Sequence, residues 1–247
     1  EFDRQADQND LWVLSRLMLH ADFRLGKDLQ VFAELNSSLI AGKDPLSPVD
    51  KDELAFNQLF IRYQLSENWS GLVGRRNQRL GSGRLVDIRE GPNVRLSFDM
   101  AQLQYKAQDV SLLGFFGVPV RQQPGIFDNE FLEFTEYVGG VYGTRNWGDA
   151  LNLDGYLLYK REDAKTWDSG TADDRRLSIG LRHFGTWRKV IFDNEIVYQT
   201  GDFGGQRIHA WTVSFNINRP FKLWGGFAGI GMKTEAISGD RDPTDDQ

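Results

Sequence analysis

Residues 11–23 read Leu-Trp-Val-Leu-Ser-Arg-Leu-Met-Leu-His-Ala-Asp-Phe, and most of their apolar and polar side chains alternate. The odd positions carry Leu11, Val13, Leu17, Leu19, Ala21 and Phe23, and the even positions include Arg16, His20, Asp22 and, one residue on, Arg24. Successive side chains of a β-strand point to opposite faces. The stretch therefore predicts a strand with one apolar face and one polar face.

The same alternation continues along the chain. Residues 29–35 place apolar side chains at odd positions, and the intervening Gly26-Lys27-Asp28 is short enough for a hairpin. A polar stretch at 42–53 then predicts a long loop before the next alternating run at 59–65. Short turns that alternate with longer loops are typical of outer-membrane β-barrels.

Nine further strands are expected, which makes about twelve in all. The first begins at Leu72 and carries Arg75, Arg76 and Arg79. The others are expected at 101–107, 110–120, 133–145, 150–161, 175–184, 189–200, 207–218 and 221–234. Turn-rich stretches at 167–174 and 201–205 separate some of them.

The composition favours a β-protein and excludes several classes of function. Aromatic residues make up 13% of the chain, with 26 Gly and only 7 Pro. The long uncharged run 110–120 has the length of one tilted transmembrane strand and is too short for a spanning helix. A net charge of -6 gives no basic footprint for nucleic acid, and the absence of cysteine excludes disulfides, thiolate metal sites and cysteine nucleophiles.

The polar faces of the expected strands suit a wet channel. They carry Glu34, Asn36, Asp154, Lys160, Asp193, Glu195, Thr212, Ser214 and Asn216. Such a set is too polar for the dry core of a β-sandwich, although it could form the solvated outer face of one. The seven Trp residues mostly fall at expected strand ends, as in the aromatic girdles of a membrane barrel.

Residues 74–98 read Gly-Arg-Arg-Asn-Gln-Arg-Leu-Gly-Ser-Gly-Arg-Leu-Val-Asp-Ile-Arg-Glu-Gly-Pro-Asn-Val-Arg-Leu-Ser-Phe. This segment resembles the alginate-export family of outer-membrane proteins, in which Gly-Ser-Gly-Arg-Leu-Val precedes Arg-Glu-Gly-Pro-Asn-Val-Arg. Arg76 stands where the family usually has Gln. Looser similarity is found at 19–22, 124–128 and 238–240.

The resemblance implies a monomeric, antiparallel, up-and-down β-barrel of about eighteen strands. Residues 1–247 are therefore expected to form one barrel domain that lacks its C-terminal closing strands. The acidic stretch 239–247 is expected to belong to an outer loop.

The arginines of this segment are the main candidate site. Arg84, Arg89 and Arg95 alternate with Gly, Pro and Asn, which predicts a constrained loop that folds inward and narrows the lumen with positive charge. The family position favours Arg75 in the lumen and Arg76 near an interface. The complete set of expected pore-lining residues is Arg16, Arg62, Arg75, Arg79, Arg84, Arg89, Arg95, Glu34, Asp99 and Asp193. Alternatively, the arginines pair with Asp87, Glu90 and Asp99 and only brace a loop, or they face lipopolysaccharide phosphates.

The sequence thus predicts a passive channel in the bacterial outer membrane for an anionic, alginate-like polysaccharide or for small anionic solutes. No catalytic residue, metal or cofactor is expected, since His20, His183 and His209 have no metal-site spacing. Outer-membrane lipid, lipopolysaccharide and periplasmic export proteins are the expected partners. A general small-solute porin, a barrel hydrolase and a soluble β-sandwich binding module remain as alternatives.

Overall fold

The fold was analysed in a computed structural model, which describes residues 11–167 and 170–238. Those residues form twelve β-strands, and they contain no helix that is long and apolar enough to cross a membrane. The strands are β1 (Val13–Leu25), β2 (Leu29–Ala41), β3 (Asp52–Gln64), β4 (Trp69–Arg76), β5 (Phe98–Lys106), β6 (Val110–Pro119), β7 (Glu136–Asn146), β8 (Asn152–Trp167), β9 (Gly170–Trp187), β10 (Val190–Phe203), β11 (Gln206–Leu223) and β12 (Gly226–Ile237). The expected outer loop 239–247 lies outside the described residues.

All twelve strands belong to one antiparallel sheet. Each strand pairs with its neighbours in sequence, in the order β1 to β12. Short turns of two to five residues lie at one end of the sheet, at 26–28, 65–68, 107–109, 147–151, 188–189 and 224–225. The other end carries the long loops 42–51, 77–97 and 120–135. The prediction of an all-β, up-and-down architecture is confirmed.

Several boundaries differ from the predicted ones. The strand expected at 221–234 is divided by the turn 224–225, because β11 extends to Leu223 and β12 begins at Gly226. β10 extends to Phe203, into the expected turn 201–205. The stretch 167–174 was expected to be a loop, but β8 extends to Trp167 and β9 begins at Gly170, with Thr166 paired to Thr171. Cross-strand pairing there outweighs the weak strand propensity of Gly and Asp. Arg79 was expected within a strand, but β4 ends at Arg76, where the chain leaves the wall.

The outward face of the sheet is an apolar band. Ile61, Val73, Leu103 and Leu112 on neighbouring strands are 46% to 61% exposed. A contiguous apolar surface of this kind indicates contact with lipid. Trp69, Trp147, Trp187 and Trp224 flank it at the turn end, Trp12 and Trp167 at the loop end, and Trp211 lies inside β11.

The inward face holds the buried residues. Phe60, Leu72, Phe98, Met100 and Phe115 on β3 to β6 form an apolar cluster with Leu80 and Val86 of the loop 77–97. Glu34, Asn36, Asp154, Glu195 and Ser214 are buried on the same inward side of other strands. The core therefore lies inside the curved sheet, between the wall and one long loop.

Candidate solute path

The loop 77–97, called here the inner loop, leaves the wall after β4 and enters the lumen. Asn77 Nδ2 donates to Asn57 Oδ1 of β3 at 3.2 Å, which fixes the point of departure. Within the loop, the Leu80 amide donates to the Val86 carbonyl at 3.1 Å, and the Leu96 amide to Ile88 at 2.9 Å. These bonds give a loop without regular secondary structure a defined shape.

One side of the inner loop is bound to β1 and β2. The Arg16 guanidinium of β1 lies 2.9 Å from the Glu90 carboxylate. The Ser38 hydroxyl of β2 donates to the Asn93 carbonyl at 2.8 Å, and the Asn93 side chain donates to the Leu39 carbonyl at 3.1 Å.

The other side of the inner loop is bound to β10 and β12. The Arg84 guanidinium pairs with Glu195 of β10 at 3.4 Å and also with Glu235 of β12. The Ser82 hydroxyl donates to Glu195, whose second oxygen accepts from the Tyr156 hydroxyl at 2.7 Å. The inner loop therefore crosses the lumen and contacts both the first and the last strand of the sheet.

A glycine allows the inner loop to pass close to the wall. Gly81 has φ of +53°, and a β-carbon at this position would collide with the hydroxyl of Tyr142 on β7. That hydroxyl is held in place, because it donates to Asp154 at 2.6 Å. The first glycine of the Gly-Ser-Gly motif is therefore required by close approach.

Several arginines of the predicted site are ion-paired. Arg95 lies 2.6 Å from Glu90, and Arg79 lies 3.6 Å from Asp87. The hydrogen bond from Arg95 lowers the pKa of Glu90, and the same bond raises the pKa of Arg95. Asp87 and Glu90 are thus partners of the arginines, as the alternative interpretation stated. Arg89 is exposed, in a left-handed backbone conformation with φ of +53°.

The prediction that Arg75 and Asp99 line the pore is wrong. Arg75 pairs with Asp99 at 2.7 Å on the outward face, which Leu59 and Val73 share. Both are buried because the loop 120–135 covers them from outside, where the Glu130 carbonyl accepts from Arg75 at 2.9 Å. A charge pair on the lipid side would be very costly without this cover.

Arg76 takes the luminal position that was assigned to Arg75. Its guanidinium lies 5.7 Å from the centre of the Phe60 ring and donates to Gln102 Oε1 at 3.0 Å. Arg62 lies on the same face, in register with Gln30 on β2 and Leu72 on β4. Strict alternation from the exposed Val73 would have identified Arg76, whereas the family position did not.

A second polar network lies on β7 to β10. Arg182, which the sequence analysis did not single out, donates to Asp193 at 2.6 Å and to Asp154 at 2.9 Å. Across the lumen, Glu34 accepts from Asn57 at 2.6 Å and from Gln58 at 3.0 Å. Asp193 and Glu34 thus lie on the luminal face, each with a polar partner.

A cavity of about 670 Å³ lies between the inner loop and the wall. Its charged lining consists of Arg84, Arg89, Arg121, Lys160, Asp87 and Glu136. Four cations therefore face two carboxylates in this space.

The histidines lie on three different strands. His20 of β1 stacks on Phe32 at 5.8 Å, and His183 of β9 packs on Phe192 at 4.6 Å. His209 of β11 lies 2.8 Å from the Tyr198 hydroxyl. Within 11–167 and 170–238, no group of three or more His, Asp or Glu residues could hold a metal ion.

Comparison with known proteins places this architecture in a family. The family described as "Alginate export" matches residues 2–247. The chain belongs to the alginate export family. Its resemblance in the 74–98 motif is thereby confirmed, and the family and fold together identify a bacterial outer-membrane β-barrel protein.

A solved structure shares the fold of this alginate export family member. OpdO of Pseudomonas aeruginosa aligns with a TM-score of 0.55 at 16% identity, covering 93% of this chain and 64% of that chain. A triple mutant of the Rhodopseudomonas blastica porin aligns with a TM-score of 0.42 at 11% identity, over 96% of this chain and 92% of the porin. The chain thus spans just under two thirds of OpdO. No curated protein gave a significant match.

Proposed function

We propose that this member of the alginate export family forms a passive outer-membrane channel for an anionic polysaccharide of the alginate type. The observation that carries the proposal is the set of four cations that line the cavity beside the inner loop, of which Arg84, Arg121 and Lys160 each have a carboxylate partner. A narrow, basic space raises the local concentration of anions and favours their passage. The single twelve-stranded sheet supports the assignment of the chain to one barrel domain.

Exchangeable ion pairs suit a polymer that must be bound and released. The side chain of Arg84 is 22% exposed although it pairs with Glu195 and Glu235. Hydrogen bonding to Glu235 keeps the pKa of Arg84 raised although burial opposes this, so the group stays charged. Ion pairs in contact with water contribute about 0–1 kcal/mol, so a uronate carboxylate can replace Glu235, whose side chain is 32% exposed, at little cost.

A second pair of arginines that could bind the polymer lies nearer the turn end of the lumen. Arg62 and Arg76 share the luminal face with Gln30 and Gln102. Among the described residues, neither arginine has a carboxylate partner within ion-pair distance. Guanidinium groups bind carboxylates, and side-chain amides can both donate to and accept from sugar hydroxyls. Successive uronate residues could thus pass from this pair to the inner loop.

The second candidate function is a porin for small solutes without preference for a polymer. It is favoured by the luminal carboxylates that neutralise Arg84, Arg95 and Arg182, which would reduce anion selectivity. Selectivity for anions over cations, or the reverse, therefore distinguishes the two functions.

Single-channel conductance of the full-length protein in planar bilayers tests the proposal. We expect anion selectivity and block by added oligouronate, both weakened by Arg89→Gln and by Arg62→Gln. Arg207→Gln is the matched control, because Arg207 pairs in register with Asp202 on the outward face of the wall. A cation-selective or uronate-insensitive channel would support the small-solute porin. Absence of any channel would contradict the proposal and favour the hydrolase. In that case, single Ser and His substitutions should abolish lipid or glycan cleavage.

A further inference from the structure

The loop 120–135, called here the outer strap, closes a gap in the barrel wall. β4 pairs with β3 only between Leu59 and Gln64, because the inner loop departs after Arg76. The outer strap takes the place of β4 along the remainder of β3. The Leu54 amide donates to the Gly125 carbonyl at 3.3 Å, and the Phe127 amide donates to the Leu54 carbonyl at 2.8 Å.

The polar groups beneath the outer strap are directed at the wall. The Leu132 amide donates to Asp99 at 3.1 Å, and the Glu130 carbonyl accepts from Arg75 at 2.9 Å. Asn129 Nδ2 donates to Asp52 at 2.8 Å. Except for Asp52 Oδ1, which has no partner in the described part of the chain, these bonds satisfy polar groups that would otherwise face an apolar surrounding, which is the condition for non-strand backbone at a lipid boundary.

The opposite side of the outer strap is apolar and exposed. It carries Ile126, Phe127, Phe131, Leu132 and Phe134, which are 41% to 61% exposed. This side continues the lipid-facing band, because Phe134 stacks on Phe116 of β6 with ring centres 6.3 Å apart. Phe127 similarly packs on Phe56 of β3 at 5.3 Å.

We propose that the outer strap is seated in the outer leaflet of the membrane, with lipid acyl chains packed on its apolar side. An open crevice of about 240 Å³ between the strap and the wall is lined mainly by Phe56, Leu59, Phe127 and Phe131. It opens on the lipid side and is apolar enough to accept part of an acyl chain. Continuity with the lipid-facing band selects lipid as the occupant over a second copy of the protein.

Residues 1–247 contain no cysteine, so one introduced cysteine is the only labelling site among them, and any cysteine in the rest of the full-length protein is first replaced by serine. Nitroxide labels are placed at Phe131→Cys and Ile126→Cys in the full-length protein, reconstituted in phosphatidylethanolamine and phosphatidylglycerol vesicles. Val73→Cys on β4 is the lipid-exposed reference. Leu46→Cys is the matched control, because Leu46 is also an exposed apolar side chain on a long loop, at 46%.

Collision rates with oxygen and with a water-soluble nickel chelate are measured for each label. We expect both strap labels to favour oxygen as Val73 does, with an oxygen-to-nickel ratio several-fold above that at Leu46. A ratio equal to that at Leu46 would overturn the proposal. Spin–spin broadening between copies would also overturn it, in favour of a second copy as the occupant. Phe134→Cys gives an independent position if one label disturbs the strap.

Discussion

Arg75 Nε donates to Asp99 Oδ1 at 2.7 Å on the lipid side of the barrel wall. A second nitrogen of Arg75 reaches the other carboxylate oxygen at 3.0 Å, so that the pair is bidentate. Only the outer strap separates this pair from the membrane. The pair therefore holds the strap in place at the point where the inner loop has left the sheet.

Asp99→Asn should destabilise the protein strongly, because it leaves the buried guanidinium of Arg75 without a counter-charge. Loss of one partner of a buried pair costs about 3–5 kcal/mol. The free energy of unfolding by urea in lipid vesicles measures the loss. Asp109→Asn is the control, since Asp109 and Arg145 form an exposed pair worth below about 1 kcal/mol. Equal losses in the two variants would show that the Arg75–Asp99 pair is not insulated from water.

Arg84→Gln should loosen the inner loop, because it removes the ion pairs to both Glu195 and Glu235. We expect larger open-channel current noise and a higher mean conductance, measured on single channels in planar bilayers. Arg207→Gln should leave both quantities unchanged. Unaltered noise and conductance would show that the remaining contacts of the loop, among them those of Glu90 and Asn93, are sufficient to hold it.

Gly81→Ala should displace the inner loop, since the added β-carbon meets the Tyr142 hydroxyl and the backbone is left-handed. The expected cost is about 1–3 kcal/mol, which is typical of overpacking at a rigid site. Protease cleavage within 77–97 should accelerate accordingly. Gly91→Ala is the control within the same loop, because a β-carbon there has no atom within 4 Å. Similar cleavage rates in both variants would contradict the proposed close approach.

Acid should release the loop 42–51 only at very low pH. Hydrogen bonds from Lys43 and Ser47 lower the pKa of Asp50 from 3.8 to about 2. A carboxyl whose pKa is lowered on folding stabilises the fold above its ordinary pKa, and this contribution is lost as the pH falls through the lowered value.

Hydrogen exchange at the Ser47 amide, which donates to Asp50 at 2.7 Å, measures this release. We expect protection, corrected for the intrinsic exchange rate, to persist at pH 4 and to fall towards pH 2. Asp50→Asn should reduce protection throughout, whereas Asp44→Asn on the same loop should not. Protection that disappears near pH 4 would show that Asp50 titrates at its ordinary pKa.

Much of the fold could be predicted from alternation alone. The odd-numbered apolar residues from Val13 to Phe23 lie in β1, and the turn at Gly26–Asp28 leads into β2 as expected. The uncharged run at 110–120 became β6. Alternation is a local property, so it survives in any sheet that separates an apolar side from a wet one.

The candidate site was predicted less well, because its contacts join distant parts of the chain. Arg84 and Glu235 are 151 residues apart, and no local pattern connects them. Arg75 was assigned to the lumen from the family position, whereas strict alternation places it on the outward face, where residues 120–135 cover it. Arg182 was missed because its partners Asp154 and Asp193 belong to different strands.

The contacts of the inner loop with β1 and β12 also limit how far the sheet can open. Glu90 reaches Arg16, and Arg84 reaches Glu235, so the seven loop residues 84–90 join the first described strand to the last. Their backbone spans at most about 20 Å from end to end, and the paired side chains add to this reach. The inner loop therefore acts as a tether that limits the separation of β1 and β12 across the lumen.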